Sequence, residues 1–306
     1  MRIRATVAAV TGALALSALA VPAATAADGP PSKTDLLQAG PAFGSGKTPF
    51  TGSTDAPYPL NVSFSSVKIN SGKPIVVGTT AKKSVPVTFR LNHPADYNPK
   101  AADALFDLVI YRGSVDRPEN VLLGDEWPVC STVSATVASC KAAIDIYPGD
   151  GELLNSDATT FKALGYAYDF NGQDVEGPIE DIDWSKVGYV QQDRLTTTRL
   201  QRLSKLTVNA SPEPVRKGKT LTVTGKLSRA NWEKNVYAGY AGQSVKLQFR
   251  KKGSSTYTTV KTVKTSSTGT LRTTVKASQD GYYRYAFTGT STTPAVSAAG
   301  DFVDVR

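Results

Sequence analysis

Short segments in which apolar and polar residues alternate are the feature that most constrains the fold of this 306-residue chain. In residues 245–250 the apolar side chains share one face and the polar side chains the other, and the same period of two recurs in 271–275 and 283–287. No segment keeps the helical period of about 3.6 residues beyond two turns. Because a period of two puts alternate side chains on opposite faces of a strand, the pattern predicts an all-β protein.

The alternating segments predict two β-sandwich domains in tandem. Between residues 203 and 306 the strand-like segments are 205–210, 220–228, 244–251, 257–264, 269–278, 281–288 and 300–305. Seven short strands in about 100 residues are typical of an immunoglobulin-like (Ig-like) sandwich. Residues 58–200 hold a second set of short alternating segments between loops rich in Gly, Pro, Asn and Asp, and this set predicts a sandwich-like domain.

The N-terminus has the pattern of an export signal. Arg2 and Arg4 precede an Ala-, Val- and Leu-rich stretch over residues 5–21, and residues 24–26 supply a small-residue cleavage site. The apolar stretch is short for a membrane span, so we expect cleavage after Ala26 and a secreted, extracellular protein without a transmembrane anchor. Residues 27–57 are rich in Gly, Pro, Ser and Thr, and we expect a flexible tail there.

The two cysteines are predicted to form a structural disulfide. Cys130 and Cys140 have nine residues between them, which suits two adjacent strands joined by a turn and does not suit a CxxC redox or metal pair. A disulfide persists outside the cytosol, in agreement with export.

Charge is divided unevenly along the chain. Residues 27–200 contain 15 Lys and Arg against 21 Asp and Glu, whereas residues 201–306 contain 18 Lys and Arg against 5 Asp and Glu. The net charge of +13 on the second domain predicts a surface that binds an anionic cell-wall polymer or polysaccharide. The candidate residues are Lys246, Arg250, Arg272 and Lys276. The alternative is that these cations keep the sandwich soluble and its edges unpaired. Nucleic acid is not expected as the partner of an exported protein.

Three aromatic residues in one loop form a second candidate binding site. Trp232, Tyr237 and Tyr240 lie in the longest loop predicted for the second domain, between segments 220–228 and 244–251. Rings in such a loop could stack on a ligand such as a sugar, and the alternative is that the loop packs on the end of the sandwich. Tyr283 and Tyr285, by contrast, alternate with other residues in a strand and are expected in the core.

Acidic residues in the first domain form a candidate Ca²⁺ site. The densest acidic segment lies around residues 169–183, and the candidate ligands are Asp169, Asn171, Asp174 and Glu176, because hard oxygen donors in a Gly-containing loop suit Ca²⁺. The spacing does not match an EF-hand, since the Gly comes too early, and solvated loop acids are the alternative. The sequence requires no cofactor, and Ca²⁺ is the single candidate.

The scarcity of certain residues argues against most common catalytic and metal centres. The chain has one His, two Cys and one Met, whereas a His-based triad, a zinc finger or an iron–sulfur site needs residues that it lacks or has only once. It also lacks a G-x-S-x-G elbow and a P-loop. His93 follows a predicted strand and is expected to be a loop residue. We therefore predict that the protein is not an enzyme.

The C-terminal part of the chain resembles a known class of domain. The segments LTVNASPEPV (206–215), KGKTLTVTGKL (217–227), YAGQ (240–243) and KLQFR (246–250) resemble the C-terminal bacterial Ig-like domain of secreted actinobacterial proteins of the Streptomyces type. The resemblance covers residues 203–306 and implies a fold and export, but no reaction. Some similar proteins carry a calcium-binding label, and no motif transfers ligands to particular positions of this chain.

These observations predict a secreted, non-catalytic binding or adhesion module that engages an anionic extracellular surface or glycan. One alternative is a calcium-binding extracellular protein that uses the acidic loops of the first domain. Another is an enzyme inhibitor or enzyme that presents a loop of the first domain. The sequence does not indicate the oligomeric state.

Overall fold

The structure of the protein, a computed structural model, describes residues 32–39 and 56–306. The signal peptide predicted for residues 1–26 lies outside the described residues. In chain order the strands are β1 (Tyr58–Pro59), β2 (Ser63–Ile69), β3 (Ile75–Val77), β4 (Lys83–Asn92), β5 (Ala104–Gly113), β6 (Pro118–Leu122), β7 (Val129–Ser134), β8 (Val137–Ile146), β9 (Thr160–Asp169), β10 (Gly188–Gln192), β11 (Thr197–Arg202), β12 (Ser204–Leu206), β13 (Asn209–Ser211), β14 (Thr220–Asn231), β15 (Val236–Gly239), β16 (Ser244–Lys251), β17 (Thr258–Lys264), β18 (Thr270–Lys276), β19 (Gly281–Phe287), β20 (Val296–Ser297) and β21 (Asp301–Val303).

Helices are few in the described residues. The α-helix α1 spans Lys33–Ala39, and the short 3₁₀ helices are Asn70–Gly72, Pro148–Asp150, Asn155–Asp157, Ile179–Asp181 and Trp184–Lys186. Within the described ranges, no helix has the length and apolar character needed to cross a bilayer.

The chain divides into two compact units, each built from segments that are not continuous in sequence. Of the described residues, the N-terminal unit contains 32–39, 56–71, Ser84–Asp145 and Lys162–Thr197. The C-terminal unit consists of Gly72–Lys83, Ile146–Phe161 and Thr198–Arg306. The C-terminal unit thus contains two earlier segments in addition to the region predicted as the Ig-like domain.

In the C-terminal unit two sheets face each other across an apolar core. In one sheet the long strand β14 pairs with β12, β13, β15 and β18. In the other the order is β17-β16-β19-β20, with β21 also paired to β19. Leu221, Leu271, Leu247 and Tyr285 come from both sheets and are fully buried in the shared core. The prediction of an all-β chain with an Ig-like sandwich at its C-terminus is confirmed.

Tyr285 shows how closely the two sheets approach each other. Its ring is fully buried, and its hydroxyl donates to the carbonyl oxygen of Val223 at 3.0 Å. The ring lies beside Gly225, where a Cβ atom would come within 2.8 Å of the ring and 2.3 Å of the Thr207 carbonyl oxygen. A side chain at residue 225 would therefore push this part of the core apart.

The N-terminal unit also contains two sheets that share an apolar core. The strand order is β1-β10-β9-β5-β6 in one sheet and β2-β4-β8-β7 in the other. Three phenylalanines form an aromatic contact between them: the ring centres of Phe64 and Phe89 are 5.5 Å apart, and those of Phe89 and Phe106 are 6.4 Å apart. A Cβ atom at Gly165 of β9 would come within 2.8 Å of the Phe64 ring, so the glycine allows this close approach.

The predicted disulfide is confirmed and joins two neighbouring strands of the N-terminal unit. Cys130 of β7 and Cys140 of β8 lie directly opposite each other in the antiparallel pair. Cys140 is fully buried. A disulfide is typical of proteins that work outside the reducing cytosol.

The prediction of a flexible tail over residues 27–57 is wrong for residues 33–39, which form α1. Ser32 and Asp35 cap this helix, since the Ser32 N–H donates to Asp35 Oδ2 at 2.9 Å and the Asp35 N–H donates to Ser32 Oγ at 3.2 Å. Leu36 and Leu37 are buried in a core with tyrosines of β5 and β9. Residues 27–57 are polar on average, but they contain a capping box followed by two leucines, and this local pattern favours a helix.

A buried ion pair fastens α1 to β5. Lys33 Nζ lies 2.8 Å from Asp107 Oδ2, and Asp107 is fully buried. Lys33 Nζ also lies 4.7 Å from the centre of the Trp127 ring. Burial raises the pKa of Asp107 to about 6, although Lys33 and the backbone N–H of Leu108 act in the opposite direction. Desolvation of the carboxylate therefore outweighs its pairing with Lys33.

We expect the ionisation of Asp107 to lower the stability of the fold. Because folding raises this pKa from 3.8 to about 6, the folded state binds more protons than the unfolded chain in that window, and the free energy of unfolding falls as the pH rises through it. Asp107→Asn removes the titrating group. From about pH 4 to about pH 7, the free energy of unfolding of wild type should fall relative to that of Asp107→Asn, and urea unfolding at both pH values measures this difference. A relative gain at the higher pH would mean that the ion pair with Lys33 dominates.

Candidate functional site

The four predicted basic residues lie on two different sheets of the C-terminal unit. Lys246 and Arg250 belong to β16, whereas Arg272 and Lys276 belong to β18. Outward side chains on the two sheets of a sandwich face opposite directions. The cations predicted to form one basic surface are therefore divided between two faces.

On one of these faces, cations and aromatic rings form a continuous row that we call the cation–aromatic ladder. In spatial order its members are Arg284, Tyr257, Arg250, Tyr282, Phe302 and Lys252. Strand register brings them together, since Gln248 of β16 lies opposite Arg284 of β19, Arg250 lies opposite Tyr282, and Tyr282 lies opposite Phe302 of β21. Alternate residues of the same strands fill the core, so the ladder residues are held on the outside.

Tyr257 occupies the centre of the first half of the ladder. The Cζ atom of Arg284 lies 3.7 Å from the centre of the Tyr257 ring, and that of Arg250 lies 5.3 Å from it. Arg284 Nε donates to Gln248 Oε1 at 2.9 Å, and Arg250 Nη1 donates to the Ser254 carbonyl oxygen at 2.6 Å. Each guanidinium is therefore oriented by both a ring and a hydrogen bond.

The second half of the ladder continues from Arg250 to Lys252. The Cζ atom of Arg250 lies 4.1 Å from the centre of the Tyr282 ring, which is 5.1 Å from the centre of the Phe302 ring. Lys252 Nζ lies 5.4 Å from the Phe302 ring and 3.3 Å from Asp280 Oδ2. Lys252 thus has a carboxylate partner, whereas Arg250 and Arg284 form no ion pair with any described residue.

The two unpaired guanidinium groups can bind oxyanions. Hydrogen bonding to Tyr257 raises the pKa of Arg250 above its ordinary value, so the group is cationic throughout the physiological pH range. A guanidinium stacked on a ring keeps its N–H groups in its own plane, where they can meet a carboxylate, sulfate or phosphate edge-on. Arg250 and Arg284 occupy diagonal positions on neighbouring antiparallel strands. Residues in such positions have about 7–8 Å between their Cα atoms.

Gly300 provides the space in which Tyr257 lies. A Cβ atom at residue 300 would come within 2.2 Å of the Tyr257 hydroxyl oxygen and 3.2 Å of Tyr282 Cβ. The nearest atom is the free end of the Tyr257 side chain, which can move away without displacing the backbone. Gly300 is therefore a positioning residue for the ladder.

Of the ladder residues, only Arg250 belongs to the basic surface predicted from the sequence. Tyr282, Arg284 and Phe302 are separated along the chain and meet through the pairing of β16, β19 and β21, and Tyr257 directly precedes β17, which pairs with β16. The period of two places Arg284 and Tyr282 on the face opposite to Tyr283 and Tyr285. It does not say which residues of another strand lie beside them.

The prediction that Trp232 binds a ligand is wrong, because this residue is only 1% exposed. Its indole Nε1–H donates to the Gly78 carbonyl oxygen at 2.8 Å, and its backbone N–H donates to Asn155 Oδ1 at 3.1 Å. Both partners belong to the earlier segments of the C-terminal unit, far from Trp232 in sequence. Trp232 is thus part of the folded interior of this unit.

The other two aromatic residues of the predicted loop site are covered by cations. Lys205 Nζ lies 3.6 Å from the centre of the Tyr237 ring, and Arg229 Cζ lies 3.8 Å from the centre of the Tyr240 ring. The Tyr240 ring also meets Phe287 edge-on, with 5.8 Å between ring centres. Trp232, Tyr237 and Tyr240 do not form one exposed platform.

The predicted Ca²⁺ ligands do not converge on a common point. Asp169 Oδ1 accepts the backbone N–H of Asn171, and Asp174 Oδ1 accepts that of Glu176, so these carboxylates stabilise their own turns. The Asn171 side-chain amide donates to the Tyr58 hydroxyl at 2.6 Å. Among the described residues, which include all four candidates, no three His, Cys, Asp or Glu side chains form a group that could hold a metal ion.

Comparison with known proteins adds little to the geometry. No family model and no curated protein matches the chain. Among solved structures, the D00-D0 domain of intimin is 13% identical, with 78% of this chain and 98% of that chain covered and a TM-score of 0.25. The ectodomain of mouse nectin-like molecule 4 is 13% identical over 81% and 65%, with a TM-score of 0.22. The amphioxus IgVJ-C2 molecule is 10% identical over 74% and 98%, with a TM-score of 0.24. Likenesses of this size carry no functional argument.

We expect millimolar Ca²⁺ to leave the melting temperature of the protein unchanged relative to chelator. The reason is that Asp169 and Asp174 already accept backbone N–H groups of their own turns and do not converge on one point. A ligand that binds the folded state raises the melting temperature, so thermal unfolding checks this directly. A rise of several degrees that disappears in Asp169→Ala/Asp174→Ala would contradict the expectation.

Proposed function

We propose that the protein is a secreted, non-catalytic binding module whose Ig-like domain holds an anionic extracellular polymer on the cation–aromatic ladder. The polymer classes that fit are phosphate-rich cell-wall polymers and acidic polysaccharides. The observation that carries the proposal is that Arg250 and Arg284 are oriented on aromatic rings on an outer sheet face with no carboxylate partner among the described residues.

The charge of the surrounding domain supports the same conclusion. Residues 201–306 contain 18 Lys and Arg against 5 Asp and Glu, so an approaching polyanion meets a positive potential over the whole domain. Cations that only kept the sandwich soluble would gain nothing from being fixed over rings, since a mobile Lys or Arg is equally well hydrated. Fixing the guanidinium groups in advance lowers the entropy lost on binding.

A repeating anionic polymer suits the spacing of the ladder. Arg250 and Arg284 lie on neighbouring strands, so successive anionic groups of one polymer can reach one guanidinium each. Tyr282 and Phe302 continue the row beyond Arg250 and offer apolar surface to a sugar ring or a polymer backbone. The export signal predicted for residues 1–26 would bring the domain to the compartment where such polymers occur.

The double variant Arg250→Gln/Arg284→Gln is expected to weaken binding of the full mature chain to immobilised polyphosphate or alginate. We also expect the slope of log affinity against log salt to become shallower by up to about 2, because each lost cation releases one counterion fewer. Retention measured at several salt concentrations gives both quantities.

A matched control is the variant Arg272→Gln/Lys276→Gln, which removes the same charge from the outer face of the other sheet. It should retain most of the wild-type affinity if the ladder is the site. Equal losses in both variants would mean that net charge alone attracts the polymer. Retention that is insensitive to salt, or no retention by wild type, would refute the proposal.

Gly300→Ala is expected to weaken the same binding without changing any charge. The added methyl group displaces the Tyr257 ring from beneath Arg284 and Arg250. Each guanidinium group that is then ordered only on binding costs about 0.5–1.5 kcal/mol, which corresponds to about a two- to tenfold lower affinity. The melting temperature should stay close to that of wild type, because the Tyr257 side chain can move outward. Unchanged affinity would show that the ring does not position the guanidinium groups.

A further inference from the structure

The edge strand β7 of the N-terminal unit lacks the charged residues that usually prevent edge-to-edge pairing, and its one irregularity is a register shift against β8 between Thr132 and Ser134. β7 is the last strand in the order β2-β4-β8-β7, and no strand in the described part of the chain pairs with its outer side. Residues 128–140, which include β7 and its turn, contain no charged residue. Natural edge strands are usually protected by Lys, Pro or inward-pointing charges.

Other long edge strands of this protein do carry such protection. β2 contains Lys68, β17 contains Lys261 and Lys264, and β6 contains Pro118 and Glu119. In β7 the exposed outer face instead carries Val129 and Val133, which are 75% and 56% exposed and are the two most exposed large apolar residues among those described. The contrast singles out β7 as an edge that is open to another strand.

The register of the hairpin shows which backbone groups are open. Cys130 lies opposite Cys140 with only 4.1 Å between Cα atoms, which is the short spacing of a non-hydrogen-bonded antiparallel pair. In such a pair the N–H and C=O groups point away from the neighbouring strand. Those of Cys130, and of Thr132 two residues further on, therefore point to the free edge.

The sequence of β7 is complementary to itself. If two copies pair in antiparallel fashion with Ser131 opposite Ser131, Cys130 of one copy lies opposite Thr132 of the other, and the open N–H and C=O groups of both pairs can form four hydrogen bonds. The same register brings Val129 of one copy beside Val133 of the other, although Val133 lies at the register shift and only residues 129–132 form the regular part of the strand. Because the strand is uncharged, no like charges oppose each other.

We propose that β7 pairs with β7 of a second copy of this chain, joining the two N-terminal units in a two-fold symmetric dimer. The occupant is a second copy because the open backbone groups and the two valines match each other about one residue, Ser131. The disulfide ties β7 to β8 and keeps the hairpin in this register. The proposal does not depend on the polymer-binding ladder, which belongs to the other unit.

The test is the oligomeric state of the full mature chain, followed by sedimentation over a wide concentration range. Wild type should show a concentration-dependent monomer–dimer equilibrium. Ser131→Lys places two ammonium groups opposite each other on the symmetry axis and should weaken the dimer by up to about fivefold. Ser139→Lys is the matched control, because Ser139 is the neighbour of Ser131 on β8, is also exposed, and does not lie on the free edge. It should dimerise like wild type.

A mixing experiment separates loss of pairing from loss of folding. Ser131→Lys and Ser131→Glu should each be monomeric alone and should form a heterodimer when mixed, because opposite charges then meet on the axis. A wild-type chain that stays monomeric at all concentrations would overturn the proposal, as would equal weakening by Ser131→Lys and Ser139→Lys. High salt should weaken polymer binding and leave the wild-type dimer intact, so the two proposals fail independently.

Discussion

Burial of the inward-facing residues of β16 and β19 is the constraint on which the C-terminal unit depends. Leu247 and Tyr285 are fully buried between the two sheets. Once they are inside, the pleat forces Gln248, Arg250 and Arg284 to the outside and sets them beside one another. Packing of the core therefore also determines which side chains lie next to each other on the outer face, including those of the ladder.

The two proposed binding surfaces use different parts of a β-sheet, an outer face in the C-terminal unit and an edge strand in the N-terminal unit. In the C-terminal unit the outer face of a sheet is cationic and aromatic, while its long edge β17 is protected by Lys261 and Lys264. In the N-terminal unit the edge β7 is neutral and exposed. A polyanion is attracted at long range by charge, whereas strand pairing requires close contact and backbone hydrogen bonds. The two proposed surfaces therefore depend on different interactions.

Local pattern predicted the strands well and the sites poorly, for a physical reason. The strand expected at 244–251 and the burial of Tyr283 and Tyr285 depend on neighbours in sequence, and both agree with the structure. The ladder depends on which strands pair, and period two carries no information about the partner strand. The sequence leaves packing and ligand binding open for Trp232 for a similar reason, since its partner Gly78 lies 154 residues away in sequence. The pattern does not predict α1, because its capping box lies within a segment that is polar on average.

The bond from Trp232 to Gly78, together with that from Asn155 to the Trp232 backbone, has a consequence for how this domain could spread among proteins. An Ig-like domain encoded by one continuous stretch of gene can be copied into a new protein by a single recombination event. Here the complete unit draws on residues 72–83 and 146–161 as well as 198–306. A transferred fragment that began at residue 203 would lack the partners of both Trp232 hydrogen bonds, so we expect it to be less stable than the complete unit.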